Sequence, residues 1–220
     1  MFFYPLKPSE RNDETVMLKN VVFDMGEVLL HWDPLQPCLR HCEDAETAGR
    51  LHEFIFRCPE WYEIMDAGKM YMDEYSRMMQ ERAAESDRPY IRKILSDYYI
   101  DSLYPVKGMR ELAEALPAEG YRVFLLSNVS HDFYLYTYKM PFLRLFDGVM
   151  LSCEEQLRKP DPEIFRRLCE RFGLVPGETL FVDDVPANCE GARAVGLNAL
   201  CFGGDAAQAR AEIDRLSGKL

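Results

Sequence analysis

The sequence predicts an α/β fold in which a doubly wound parallel sheet carries a small inserted helical cap. Five short apolar runs are typical of strands that are covered on both faces, as in a parallel sheet. Helical patterns alternate with the last four of these runs, and right-handed crossovers between such strands build a doubly wound sheet. Between the first and second runs, the interval 33–104 has helical patterns and no convincing strand. That interval is predicted to be the cap.

The first strand is expected at the start of Asn20–Leu30 (NVVFDMGEVLL), where a β-branched and aromatic run meets Gly26. The other strands are expected within Tyr121–Ser127, Gly148–Ser152, Thr179–Asp184 and Asn198–Phe202.

Capping residues mark the helices between these strands. Asp161 followed by Pro162 is typical of an N-cap and a first helical position, and the helix then continues to Gly173. Further helices are expected at Gly108–Leu116, at Asn188–Val195 and after Gly203-Gly204-Asp205. The predicted organisation is an N-terminal extension at 1–19, an α/β core formed by 20–32 and 105–220, and the cap at 33–104.

Composition and charge exclude several classes of function. The 220 residues have a net charge of −11, which disfavours nucleic acid and anionic membranes as partners. The N-terminus lacks the pattern of a signal peptide, and no apolar stretch approaches the ~20 residues of a membrane span. Seven scattered cysteines indicate reduced thiols, without the second Cys/His pair that a zinc site needs. We therefore expect a cytoplasmic protein; nothing in the sequence fixes its oligomeric state.

Polar residues end the predicted strands on the side where ligands bind in this class of sheet. Three carboxylates, a hydroxyl, an amide and a lysine are expected to converge there. They are Asp24 after the first strand, Ser127 and Asn128 after the second, Lys159 in the loop after the third, and Asp183 and Asp184 after the fourth.

These groups suit phosphoryl transfer. Clustered carboxylates repel one another unless a cation lies among them, and a hard oxygen donor set suits Mg²⁺. The metal and Lys159 would offset the charge of an incoming phosphate, so that a carboxylate can attack phosphorus. The expected partner is a small-molecule phosphate ester.

Four segments, in order, resemble the motifs of the haloacid dehalogenase-like hydrolase superfamily. They are FDMGEVL at 23–29, LLSNVS at 125–130, KPDP at 159–162 and FVDDVPANCEGARAVG at 181–196. The resemblance implies a Rossmann-like core, and the insertion resembles the first type of helical cap in that family.

The resemblance also implies a role for each matching residue. Asp24 would be the nucleophile. Asp184 would bind Mg²⁺ directly, with Asp183 as a second ligand or as a residue behind the metal. The remaining matches are the Gly26 carbonyl as a metal contact, Ser127 and Asn128 as phosphate-binding groups, Lys159 as the motif lysine and, more weakly, Asn188 near the metal.

Gly26 departs from the family pattern, because phosphatases of the family usually have a second Asp there as general acid and base. Glu27 or His31 is a candidate replacement; alternatively, the substrate has a better leaving group, or the protein is a slow or retired enzyme. The DMGEV form resembles a DxGxV branch that includes enzymes acting on glucose 1-phosphate, which favours sugar phosphates.

Two other functions are alternatives to a phosphatase. A metal-independent 2-haloacid dehalogenase also lacks the second Asp, but its chemistry does not require the Asp183-Asp184 pair. A binding protein on a retired hydrolase scaffold is disfavoured because the sequence retains the whole set Asp24, Ser127, Lys159 and Asp184. Specificity is expected to lie in the cap, where Trp61, Tyr62 and Lys69 are candidates for contact with the leaving group.

Overall fold

A computed structural model describes residues 17–219, and a five-stranded parallel sheet lies at their centre. The strands of this part of the chain are β1 (Asn20–Phe23), β2 (Leu30–Trp32), β3 (Leu103–Pro105), β4 (Arg122–Ser127), β5 (Gly148–Leu151), β6 (Thr179–Asp183) and β7 (Asn198–Cys201). The main sheet has the order β5-β4-β1-β6-β7, while β2 and β3 form a separate antiparallel pair. All five predicted strands of the main sheet are present, and the predicted fold class is confirmed.

Ten α-helices of four or more residues accompany these strands in residues 17–219. They are α1 (Leu35–His41), α2 (Ala45–Phe56), α3 (Met72–Arg82), α4 (Arg88–Asp97), α5 (Tyr99–Ser102), α6 (Met109–Ala115), α7 (Ser152–Glu155), α8 (Pro162–Phe172), α9 (Pro186–Ala194) and α10 (Ala206–Leu216). A π-helical turn covers Trp61–Met65. None of these helices is long and apolar enough to cross a membrane.

Helices cover both faces of the main sheet. Successive side chains of a strand point to opposite faces, so neighbouring residues of β1 contact helices on different sides. Val21 lies in one apolar cluster with residues of α6 and α10. Val22, its neighbour, lies in a second cluster with residues of α8 and α9. In the sheet, Val22 pairs with Phe124 of β4 and Phe181 of β6. β1 is therefore buried at the centre of the sheet, and its carboxyl end is held rigidly.

The predicted helix boundaries of the core agree with the structure to within a few residues. The Asp161 side chain accepts the backbone N–H of Glu163, as an N-cap does, and Pro162 opens α8. Gly173 ends α8 in the left-handed conformation, with φ of 61°. Asp205 caps α10 in the same way, by accepting the N–H of Ala207.

The helical cap, α1 to α5 with the π-turn, has an apolar core of its own. Leu51, Ile55 and Tyr75 are fully buried in it. Arg50 of α2 forms two hydrogen bonds, of 2.6 and 2.9 Å, with the carboxylate of Asp87 just before α4. The division of the chain at 33–104 stays a prediction.

The expectation that no strand lies within 33–104 was wrong at its last residues. β2 and β3 pair antiparallel where the chain leaves the core for the cap and returns, and Trp32 lies opposite Leu103. Three residues per strand are too few for an alternating pattern to be visible in sequence. The pair is extended by a backbone hydrogen bond from Asp33 to Ser102. Of the predicted extension at 1–19, residues 1–16 lie outside the described part of the chain.

Candidate active site

Asp24 directly follows β1, and its backbone N–H donates to Val182 of β6 at 2.9 Å, so it continues the sheet pairing. Its side chain is 11% exposed. One carboxylate oxygen, Oδ1, lies 2.7 Å from the Nζ of Lys159 and accepts the N–H of Met25 at 2.7 Å. The predicted nucleophile is therefore a buried carboxylate held by a cation and a backbone amide.

Lys159 has a fully buried side chain at the centre of the site. Its Nζ lies 2.7 Å from both Asp24 and Asp183 and donates to the backbone carbonyl of Leu126 at 3.1 Å. Asn128 fixes the lysine backbone through two hydrogen bonds of 2.9 Å, one from its amide to the Lys159 carbonyl and one from the Lys159 N–H to its oxygen. The Asn128 amide therefore positions the lysine as well as lining the cavity.

The two carboxylates after β6 have different surroundings. Asp183 is fully buried and accepts hydrogen bonds from Val185 N–H, the Asn188 amide and Lys159. Asp184 is half-buried, lines the cavity and forms no ion pair within residues 17–219. The Asp183 carboxylate is thus fixed by hydrogen bonds, and the Asp184 carboxylate is the one more accessible to a metal ion in the cavity. Asn188, a weaker match in the sequence, acts here by holding Asp183.

The electrostatics of the site show a surplus of negative charge. Burial raises the pKa of Asp24 to about 7, against the opposing effect of Lys159 and with a further increase from Asp183. Burial also raises the pKa of Asp184 to about 6, and Asp183 adds to this effect. Burial alone would lower the pKa of Lys159, but the carboxylates of Asp24 and Asp183 raise it overall. The lysine is therefore charged, and its single positive charge faces three carboxyl groups, those of Asp24, Asp183 and Asp184.

The residues present fit a divalent cation. Ligand oxygens of Asp24, Asp183 and Asp184 all lie within 4.8 Å of one another. Oxygen donors in this number, at the carboxyl edge of a parallel sheet, suit Mg²⁺, and its charge would favour the ionised forms of Asp24 and Asp184. Gly26 lines the same cavity, which places its backbone beside the cluster.

Of the remaining predicted residues of the core, Gly26 and Glu27 line the cavity, whereas Ser127 is not among the described residues that do. Ser127 is the last residue of β4 and is 1% exposed. Glu27 lines the cavity, but its carboxylate accepts the Trp32 N–H at 2.9 Å and lies 2.8 Å from the Nδ1 of His31. At Gly26, an added Cβ would have no heavy atom within 4 Å, so packing does not dictate glycine there.

A cavity of about 430 Å³ lies between this cluster and the cap. Trp61 and Tyr62 line it, whereas Lys69 lines a separate depression beside Arg158. Trp61 is 3% exposed and stacks on Trp32 with ring centroids 5.5 Å apart, so it also belongs to the cap core.

Sequence reasoning missed Asp66, a carboxyl group from the cap that lines the same cavity. It lies between Tyr62 and Lys69, two of the cap residues that the sequence analysis names. The available signal was weak, because Asp66 is one of two acidic residues, with Glu63, in a largely apolar stretch. Arg57, Tyr98 and Tyr136 also line the cavity without having been singled out.

The chain was compared with protein families, with known protein sequences and with solved structures. The family described as hydrolase, haloacid dehalogenase-like hydrolase, matches residues 18–196. The sesquiterpene phosphatase astK of Aspergillus oryzae is 27% identical over 180 residues, which are 81% of this chain and 87% of that protein. The D-ribitol-5-phosphate phosphatase of Bacteroides thetaiotaomicron is 26% identical over 189 residues, which are 78% of this chain and 85% of that protein.

Among solved structures, a HAD family enzyme of Bacteroides thetaiotaomicron in complex with magnesium and inorganic phosphate has a similar fold. The TM-score is 0.66 at 24% identity, and the match covers 83% of this chain and 93% of the other. This likeness supports the assignment of the α/β fold with its helical cap.

Proposed function

The chain belongs to the haloacid dehalogenase-like hydrolases, and from this premise we propose that it cleaves small phosphate monoesters in a Mg²⁺-dependent reaction through an aspartyl phosphate on Asp24. The observation that carries the proposal is the buried Asp24 carboxylate, 2.7 Å from Lys159 and clustered with Asp183 and Asp184. The proposed nucleophile, a buried lysine and the proposed metal ligands therefore lie together at the carboxyl edge of the main sheet.

In the first step, the free oxygen of Asp24 attacks phosphorus, and the bond from phosphorus to the alcohol oxygen breaks. Lys159 stabilises negative charge that spreads over the phosphoryl oxygens, without reorganisation, because its position is already fixed. Ser127 and the backbone N–H groups after β4 bind phosphoryl oxygens. In the second step, water attacks the aspartyl phosphate and releases inorganic phosphate. Dividing the hydrolysis into two steps lowers the barrier of each.

Mg²⁺ would be held by the carboxylates of Asp24 and Asp184 and the carbonyl of Gly26, with Asp183 behind or beside it. When bound, it supplies positive charge that brings phosphate and carboxylate together. The half-buried Asp184 is the ligand best placed to exchange with solvent, since Asp183 is already occupied by hydrogen bonds.

The alcohol of the substrate must fit the cavity of about 430 Å³ beneath the cap. We propose a small phosphate ester, with sugar phosphates as the first class to test. The relative that acts on D-ribitol 5-phosphate supports a polyol, and the sesquiterpene phosphatase supports an apolar alcohol. Aromatic side chains such as Trp32 and Tyr62 can pack on either class of alcohol.

The two alternatives receive less support from the same site. A metal-independent dehalogenase binds no cation, so it does not need the second carboxylate of Asp184 beside Asp183, which is already paired with Lys159. A retired scaffold has no need to keep Lys159 buried between two carboxylates, because burial of such charges is costly.

The experiment is release of inorganic phosphate from a panel of esters: sugar phosphates, an alditol phosphate, an isoprenoid phosphate and an aryl phosphate. Each is measured with MgCl₂ and with excess chelator. We expect metal-dependent release, with a ranking that identifies the alcohol. Release that is equal in chelator would contradict the metal-dependent mechanism, and no release from any ester would contradict the phosphatase assignment.

A further inference from the structure

The proposed reaction leaves one group unassigned: the acid that protonates the departing alcohol oxygen. An alkyl alcohol leaves slowly as an alkoxide, so a positioned acid accelerates its departure by about 10²–10⁴-fold. Gly26 offers no such group. Glu27 is half-exposed, and both of its carboxylate oxygens already have partners, the Trp32 N–H and His31. The acid must therefore be sought on another element that faces the cavity.

Phosphoryl transfer restricts where this acid must lie. The attacking and leaving oxygens are roughly in line through phosphorus. Asp24 attacks from the core, at the end of β1, so the alcohol oxygen lies on the side of the cavity formed by the cap. A carboxyl group from the cap that lines this cavity is in the required place.

Asp66 meets this requirement. It follows the π-turn of the cap, with its N–H bonded to the Trp61 carbonyl at 3.1 Å. Its own carbonyl accepts a hydrogen bond from the hydroxyl of Ser152, the first residue of α7, directly after β5 in the core. The backbone of Asp66 is thus fixed to both cap and core, while its side chain lines the cavity that also contains Asp24 and Lys159.

The surroundings of Asp66 favour the protonated acid. Burial raises its pKa to about 8; Arg158 and Lys159 act to lower it, and Asp24 acts to raise it. Within residues 17–219 its carboxyl group accepts no hydrogen bond and forms no ion pair. The Arg158 guanidinium, one of the two cations that act on this pKa, donates a hydrogen bond to the carbonyl of Tyr62 at 2.9 Å. A neutral carboxyl group therefore faces the leaving side of the site.

We propose that Asp66 is the general acid and then the general base of this hydrolase, supplied by the cap in place of the residue missing at Gly26. This proposal rests on the proposed function, because it assigns a proton transfer within that reaction.

The proton balance closes over the two steps. In the first, Asp24 bonds to phosphorus, the phosphorus–oxygen bond to the alcohol breaks, and the proton of Asp66 passes to that oxygen. The products are the alcohol, aspartyl phosphate and an Asp66 carboxylate. In the second step, water attacks phosphorus and gives one proton to Asp66. Hydrogen phosphate leaves, and both the Asp24 carboxylate and the Asp66 acid are restored.

The test compares Asp66→Asn with the wild type on two esters, an alkyl phosphate and p-nitrophenyl phosphate, whose phenolate leaves without protonation. The value of kcat/KM reports on the steps up to departure of the alcohol. We expect Asp66→Asn to lower kcat/KM about 10²–10⁴-fold on the alkyl ester and less than about tenfold on the aryl ester. We also expect a burst of nitrophenol, because loss of the base slows the second step.

Glu27→Gln is the matched control, and its alkyl-to-aryl ratio should stay near that of the wild type. An equal loss on both esters in Asp66→Asn would indicate a structural role and overturn the proposal, as would no loss on either. A selective loss in Glu27→Gln would transfer the role to Glu27. Failure of the proposed function gives a different result, since the wild type would then release no phosphate from either ester.

Discussion

At the scale of single residues, the site is organised by one buried lysine. Lys159 touches Asp24 and Asp183, and its backbone is fixed by Asn128. An isolated buried charge is costly, and a buried group of two carboxylates and one lysine is rarely the most stable packing. The arrangement is instead suited to a reaction in which a dianionic phosphate and a divalent cation enter together.

Asp184→Ala is expected to weaken Mg²⁺ binding by at least about tenfold, because it removes the most available metal ligand. A ligand that binds only the folded state raises the melting temperature, so titration of MgCl₂ in a thermal-unfolding assay measures this affinity. Glu190→Ala, an exposed carboxylate on α9, is the matched control and should respond as the wild type does. An unchanged titration in Asp184→Ala would show that Asp184 is not a ligand.

The raised pKa of Asp66 gives a prediction for stability in the absence of metal. From its ordinary pKa of 3.8 up to about 8, the folded protein keeps a proton on Asp66 that the unfolded chain has lost. Stability therefore falls as pH rises through this range. Asn cannot ionise, so Asp66→Asn should melt higher than the wild type at pH 8, by at least about 2–4 °C, with a smaller difference at pH 5.

Thermal melts of both proteins in chelator at pH 5 and pH 8 check this prediction. Glu190→Gln should show no such pH-dependent gain. If Asp66→Asn melts lower than the wild type at pH 8, the Asp66 carboxyl group stabilises the folded state at that pH. Such a result would contradict a pKa raised by burial.

At the scale of elements, a short segment of the cap joins it to the core. The Ser152 hydroxyl donates to the carbonyl of Asp66, and His131 is bonded to the carbonyl of Gly68 at 3.1 Å. Tyr71 stacks on His131 with ring centroids 4.5 Å apart. The segment 66–71 therefore sets the position of Asp66 over the site.

Gly68→Ala should disturb this junction. Gly68 has φ of 65°, and an added Cβ would clash with the backbone of Cys153. We expect a loss of about 1–3 kcal/mol in stability and a lower kcat/KM. Gly49→Ala, in α2, is the control: its added Cβ meets nothing within 4 Å, and alanine should raise stability by up to about 1 kcal/mol. Urea unfolding of both variants checks the prediction. Equal stability of Gly68→Ala and the wild type would show that the junction is not tightly packed.

Elements were predictable where local chemistry decides them. The strands β1, β4 and β6 are continuous apolar runs because both faces are covered, and α8 has its own N-cap at Asp161 and its stop at Gly173. The β2–β3 pair was not predictable, since it depends on contacts between residues some seventy positions apart.

The part of the site that follows the strands was predictable, whereas the part that comes from the cap was not. Asp24, Lys159, Asp183 and Asp184 follow strands of one sheet, and the topology brings their side chains together. Asp66 and Lys69 lie only three residues apart, yet one faces the cavity and the other a separate depression. The way the cap packs on the core decides this difference, and neither helical spacing nor residue type reveals it.

At the scale of the whole molecule, the fold separates two tasks. The sheet holds the proposed nucleophile Asp24, Lys159 and the proposed metal ligands at one edge, and the cap, with its own apolar core, covers that edge and encloses the cavity. The helix α10 lies beyond the family match at 18–196 and completes one layer of the sheet, where Ile213 is fully buried. The net charge of −11 disfavours the approach of a phosphate, and the cation that we propose would offset this repulsion at the edge of the sheet.

The central claim is that Asp24 is the nucleophile of a phosphohydrolase, and the most direct test is the turnover of Asp24→Asn on the best ester with MgCl₂. We predict a loss of at least about 10⁴-fold with the fold intact by circular dichroism. Asp87→Asn, at a buried aspartate outside the site, is the matched control and should keep kcat near that of the wild type. Turnover by Asp24→Asn that equals that of Asp87→Asn would contradict the account.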